Sequence, residues 1–242
     1  NEAVHLSTIE KINVTLNRDG GVENVEIKGD LMLNITDESK AAIRIGVNLK
    51  NQAGFQLRTH PNIDKNLFSA QNILGLKDAG RPFPVGSPLG VLRWRLQTKD
   101  ESVVPLIINC WPSESGNGSQ VNVEYELIAL QELRDVVIVI PTRTGSVQPR
   151  LAEIDQGDFA YNSRTQSVEW KIALIDNANR TGNLEFHTAL MDPSNFFPVS
   201  AAFLSRATYL QLSIQGIVNA ASNEPVKFSS DVSLSTEQYM VA

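Results

Sequence analysis

Apolar and polar residues alternate with a period of two along most of this chain. Ile12, Val14 and Leu16 alternate with polar neighbours, Asp19-Gly20-Gly21 supplies a turn, and Val25 and Ile27 bring the chain back. That combination predicts a β-hairpin. Further alternating runs follow at residues 31–35, 43–49, 92–96, 121–127, 136–140 and 168–172, then at 210–214, 226–228 and 232–234. Every second side chain of a strand points to one face, so each run predicts a strand with one buried side. No stretch carries a convincing helical stripe; over 125–135 a helical reading competes with a strand and a short bend. Many short strands at roughly ten-residue spacing predict an all-β, sandwich-type architecture.

Two segments interrupt the pattern. Residues 81–88 hold Pro82, Pro84 and Pro88, and proline at that density predicts an irregular loop. Residues 113–119, Ser-Glu-Ser-Gly-Asn-Gly-Ser, read as a flexible polar connection and a candidate lobe boundary.

Composition narrows the function classes. The chain has 242 residues, 42% apolar and 20% charged, which is ordinary for a globular protein with a real core. Its 21 basic and 27 acidic residues give a net charge of −6, so nothing draws the whole chain to nucleic acid or anionic lipid. The one cysteine, Cys110, cannot form an internal disulfide, and this points to a reducing compartment. Asn-X-Ser/Thr triplets at Asn13, Asn34, Asn117 and Asn179 are read as chance matches, although they suggest an extracellular adhesion sandwich as an alternative class. No apolar run reaches the ~20 residues of a membrane helix, and no signal peptide leads the chain. It begins at Asn1, which fits a piece of a longer protein.

Catalytic and metal patterns are missing. His5, His60 and His187 lie at no metal-ligand spacing from one another or from Cys110. There is no nucleophile elbow, phosphate loop or dinucleotide fingerprint. Glu153 and Asp155 read as a solvated strand edge. The expectation is a non-enzymatic binding module with no cofactor and no metal.

Strand phase sorts the notable side chains. Trp94 and Trp170 fall in step with Leu92/Leu96 and Val168/Ile172, so both are expected in the core. Arg93 and Arg95 then share the opposite face. Trp111, fixed in extended geometry by Pro112, is expected to plug a junction between lobes. Phe196-Phe197 is expected to anchor a lobe core. The loop after residue 55 combines Arg58, His60, Asp64, Lys65 and Phe68, and loops on rigid sheets often carry binding.

Several stretches are more specific than composition. They are Gln-Leu-Arg-Thr-His-Pro-Asn-Ile-Asp-Lys-Asn-Leu-Phe at 56–68, Leu-Arg-Trp-Arg-Leu-Gln-Thr at 92–98 and Ile-Ile-Asn-Cys-Trp-Pro-Ser-Glu-Ser-Gly-Asn-Gly at 107–118. Together with residues 18–21, 122–127 and 196–199 they closely resemble the C-terminal mu-homology domains of delta-coatomer, part of the coat of COPI vesicles. The resemblance spans essentially the whole chain.

It implies an elongated all-β mu-homology fold of two β-sandwich lobes, the first about 1–119 plus 207–242 and the second, inserted, about 120–206. It also implies a cytoplasmic protein, peripheral on Golgi membranes and COPI vesicles, acting in Golgi-to-endoplasmic-reticulum transport. Its implied partners are other coatomer subunits, bound through the rest of the full-length chain, and short tryptophan-based motifs in disordered tails of Arf GTPase-activating proteins and of a tether at the endoplasmic reticulum. Nucleic acid and a transmembrane segment are not implied.

Related clathrin-adaptor medium subunits grip tyrosine-based sorting signals with an aromatic residue and an arginine two positions later. Here those positions hold Phe228 and Ser230, so the charge and fork of the arginine are gone, and a cargo adaptor for tyrosine-based signals is the runner-up reading. The peptide-binding residues expected for tryptophan motifs are Arg58, His60, Lys65, Phe68, Arg93 and Arg95.

Overall fold

The structure, a computed structural model, describes residues 2–143, 145 and 147–242. Its first strands are β1 (Val4–Leu16), β2 (Val22–Ile35), β3 (Ile43–Leu49) and β4 (Gln56–Thr59). A short helix, α1 (Lys65–Gln71), precedes β5 (Ile73–Leu74), β6 (Leu89–Thr98), β7 (Leu106–Ser115) and β8 (Gly118–Leu127). The remainder is β9 (Leu133–Pro141), β10 (Arg150–Ile154), β11 (Asp158–Asn162), β12 (Ser167–Ile175), β13 (Thr181–Ala189), β14 (Val199–Ser205), β15 (Leu212–Asn219) and β16 (Ser229–Val241). The all-β expectation holds, and 125–135 resolves as strand, bend and strand.

The chain divides into two compact units. One comprises Asn1–Lys11, Ile27–Leu96 and Ala207–Leu234; the other comprises Ile12–Glu26, Gln97–Arg206 and Ser235–Ala242. The long strands β1, β2 and β16 thus contribute residues to both. The lobes drawn from sequence share the change at 206/207 with this division, while 12–26, 97–119 and 235–242 belong to the second unit.

In the first unit β1, β2, β6 and β4 are successive neighbours in one sheet, and β15, β3 and β5 form another. Apolar faces of the two sheets meet in one core: Leu31, Leu33, Leu92 and Trp94 from the former, Ile43, Ile45, Val47 and Ile217 from the latter. A buried carboxylate joins this core. Glu10 accepts from Trp94 Nε1 (2.9 Å) and from the backbone N–H groups of Tyr209 (2.7 Å) and Leu210 (3.0 Å). Burial pushes its carboxyl above the ordinary 4.5, outweighing those three hydrogen bonds, which pull the other way.

In the second unit β11, β12, β9 and β14 run in that order in one sheet and β10, β13, β8 and β7 in the other. Aromatic pairs knit its interior: Tyr125 with Trp170 at 5.3 Å between ring centroids, and Phe203 with Tyr239 at 5.3 Å. Phe196 and Phe197 are buried there as expected, and Arg18 lies 4.2 Å over the Phe197 ring. Cys110 is buried in the same unit, and burial pushes its thiol up to about 12.

Four sequence expectations need correction. The polar stretch 113–119 is a hairpin, not a flexible connection or a boundary: Ser115 faces Gly118 across a two-residue turn in which Gly116 has φ +60°. That is the turn position a type II′ hairpin gives to glycine. Residues 25–27 and 31–35 are one strand, because Gly29 continues it; the Trp94 indole occupies the space its Cβ would need. Residues 226–228 form no regular strand. Trp111 plugs nothing: it is 49% exposed, whereas Trp94 and Trp170 are 2% and 0% exposed.

Candidate peptide-binding surface

The expected site lies wholly within the first unit. β4 pairs with β6 in antiparallel register, Gln56 with Arg95, Leu57 with Trp94, Arg58 with Arg93 and Thr59 with Leu92. Directly opposed residues share a face. Leu57, Trp94, Thr59 and Leu92 therefore turn inward, and Gln56, Arg58, Arg93 and Arg95 form an exposed row. Arg93 Nε bonds Asp30 Oδ1 of β2 at 2.7 Å.

Beyond β4 the segment expected to be a loop is a turn and a helix. His60 donates its N–H to Val91 O at 3.0 Å, and its Nδ1 accepts from Asn62 N at 3.1 Å. Asp64 caps α1 by accepting from Asn66 N (3.0 Å) and Leu67 N (3.2 Å). The helix closes at Asn72, whose φ of 55° suits an Asn C-cap. This short turn of helix sends Phe68 into the core and leaves Lys65 exposed on its first turn.

Three clefts, joined by shared residues, run over this surface, and Arg58 lines all three. The largest, about 760 Å³, is bounded by Arg58, His60, Lys65, Lys77, Leu89 and Arg93. A second, about 470 Å³, has Leu57 and Phe68 beside Arg58 and Lys65. A third, about 700 Å³, holds Arg58, Arg93, Arg95 and Lys28 around the edge of Trp94. All six residues expected from sequence thus line one connected surface, with Phe68 contributing an apolar floor, not an exposed ring. Asp30 is the one carboxylate among the residues lining the three clefts.

Sequence reading missed Lys28, Lys77 and Leu89. It also missed a further cleft of about 410 Å³, lined by His60, Leu76, Lys77, Pro82, Pro84 and Leu89. The proline loop was visible as an irregular segment, but nothing in the sequence places it beside His60.

The positions aligned with the family's tyrosine pocket also lie in the first unit. Phe228 packs against the core. Ser229 Oγ and Asp231 Oδ2 each lie 2.7 Å from a ring nitrogen of His5, on opposite sides of the imidazole. Among the described residues no three His, Cys, Asp or Glu side chains gather as a metal site.

The fold and the surface can be set beside known proteins. The family model for the medium subunits of adaptor complexes matches residues 1–240. The chain belongs to that family. Among curated members it is similar to coatomer subunit delta-2 of Oryza sativa subsp. japonica, 40% identical over 241 residues, covering 99% of this chain and 46% of the rice protein. The chain thus spans about half the length of the coatomer relatives it matches. It is also similar in structure to the yeast delta-COP-I mu-homology domain, with a TM-score of 0.82 and 28% identity over 100% of this chain and 98% of that one. The same yeast domain complexed with a Dsl1 WxWxV peptide gives 0.83 and 29%, covering 100% and 99%. The medium-subunit family and the mu-homology fold implied by residues 56–68, 92–98 and 107–118 are therefore the family and fold of this chain.

Proposed function

We propose that this chain is the non-catalytic peptide-reading module of a COPI coat subunit, and that it holds short tryptophan-based motifs on the face built by Arg58, His60, Lys65, Phe68, Arg93 and Arg95. The observation that carries this reading is the likeness, across the full chain, to a yeast domain bound to a WxWxV peptide. The surface itself supports it. Apolar floors at Leu57 and Phe68 can take an indole, and the surrounding cations suit acidic residues beside it. A buried tryptophan removes about 150–250 Å², or roughly 4–6 kcal/mol at about 25 cal/mol/Å². Ordering a disordered tail offsets most of that, leaving an affinity on the order of micromolar, suited to a transient coat contact.

In this reading the motifs come from tails of Arf GTPase-activating proteins and from a tether at the endoplasmic reticulum. The remainder of the full-length protein joins the other coatomer subunits on the cytoplasmic face of Golgi membranes and vesicles. Calorimetric titration with an acid-flanked WxWxV peptide and its Trp-to-Ala version tests it. Arg93→Glu combined with Arg95→Glu should weaken the tryptophan peptide by about 1–2 kcal/mol, and added salt should shrink that difference. Unchanged affinity in a double variant of unchanged thermal stability places the site elsewhere.

A further inference from the structure

The cleft of about 760 Å³ concentrates more positive charge than the fold around it answers. Arg58 stands directly opposite Arg93 across the β4–β6 pair, and like charges so placed cost stability. Asp30 answers one of them, through Arg93 Nε. Among the described residues no carboxylate pairs with Arg58, Lys65 or Lys77; the nearby Asp78 pairs with Arg81 at 3.5 Å. No carboxylate lines the cleft, and its floor includes the buried Thr59.

Two guanidinium groups and two ammonium groups around one concavity exceed what a single carboxylate can satisfy. A phosphomonoester brings a charge of about −1.5 to −2 and three acceptor oxygens, and arginine forks match its geometry. The cations border a concave cleft, which admits a phosphate carried on a slim chain more readily than the flat face of a bilayer. The cleft also shares Arg58 and Lys65 with the one floored by Leu57 and Phe68, so the phosphate and an indole fit the same extended segment.

We propose that the Arg58–Lys65–Lys77–Arg93 cleft binds a phosphoserine or phosphothreonine near the tryptophan motif, so that phosphorylation of the partner's tail strengthens docking. The inference rests on the tryptophan-motif reading above and adds a regulated anion to it.

The test uses three peptides that share one WxWxV core and differ about three residues beyond it, carrying Ser, phosphoserine or Asp. A fourth carries phosphoserine with both tryptophans replaced by Ala. Calorimetry gives affinities, and the phosphorus resonance reports the phosphate's environment. The phosphoserine peptide should bind about tenfold tighter than the serine peptide, with aspartate recovering only part of the gain. Its phosphorus resonance should shift on binding. In Arg58→Gln/Lys77→Gln the ratio of phosphorylated to unphosphorylated affinity should fall toward one. A ratio near one in the unmodified protein, with the serine peptide still binding, overturns the phosphate site and leaves the tryptophan reading standing. Failure of every tryptophan peptide overturns that reading instead, and the fourth peptide then shows whether the cleft takes phosphate alone. Binding to phosphoinositide vesicles that the double variant abolishes, with a peptide ratio near one, also overturns the proposal, in favour of a membrane contact.

Discussion

Glu10 shows how one residue can organise a core. Its two oxygens serve three N–H donors from parts of the chain far apart in sequence, Trp94, Tyr209 and Leu210. Glu10→Ala should leave those donors unpaired in a dry interior and lower stability by about 3 kcal/mol in urea unfolding. The pH dependence has a definite sign. The folded carboxyl holds its proton more tightly than the unfolded one, whose ordinary value is 4.5. Its contribution to stability is therefore fully present below pH 4.5 and is lost as pH rises through the folded value. A stability–pH profile that is flatter in Glu10→Gln over that window would identify this group as the source. Ser230 makes a different single-residue argument. With serine where the tyrosine pocket has arginine, and with His5 bridging Ser229 and Asp231, a YxxΦ peptide (Φ a bulky apolar residue) has no charged fork to meet. We expect binding no tighter than millimolar, about 4 kcal/mol, and a low-micromolar constant by calorimetry would refute it.

At the scale of elements, the sequence pattern was most legible where a strand has one apolar side. The phase of Trp94 placed Arg93 and Arg95 outward, and the β4–β6 register then added Arg58 to the same row. Two elements escaped for opposite reasons. The tip of the β7–β8 hairpin is polar on both faces, so nothing in its composition distinguishes a paired ribbon from a loop. Helix α1 is seven residues long, too short for a periodic stripe, and Asp64 as its cap was the readable clue. Gly29 was a third blind spot, since a glycine between two alternating runs looks like a break until its neighbour is known. Because the Trp94 ring fills its missing side chain, Gly29→Ala should force the indole aside and destabilise the domain by about 1–3 kcal/mol, measured by chemical denaturation. The strand itself should survive, so its far-ultraviolet spectrum should stay close to that of the unaltered protein.

At the scale of the whole molecule, the six residues of the proposed binding surface were named from the sequence as a set, while the clefts they line were not legible there. The sequence stretches brought Arg58, His60, Lys65 and Phe68 together because they are neighbours in the chain. Lys77 and the proline loop join them only after folding, through contacts no local pattern encodes. Trp111 illustrates the converse: the alternation of buried Leu106, Ile108 and Cys110 puts it on the outer face, a local signal that the expected junction plug overlooked. Its exposure makes the domain spectroscopically simple. Trp94 and Trp170 are shielded, so acrylamide should quench essentially one emitter, the longest-wavelength one, and Trp111→Phe should remove that component and shift the remaining emission to the blue. A tryptophan-free partner that covers β7 should abolish the quenchable component, so a single cuvette measurement reports whether that strand is engaged.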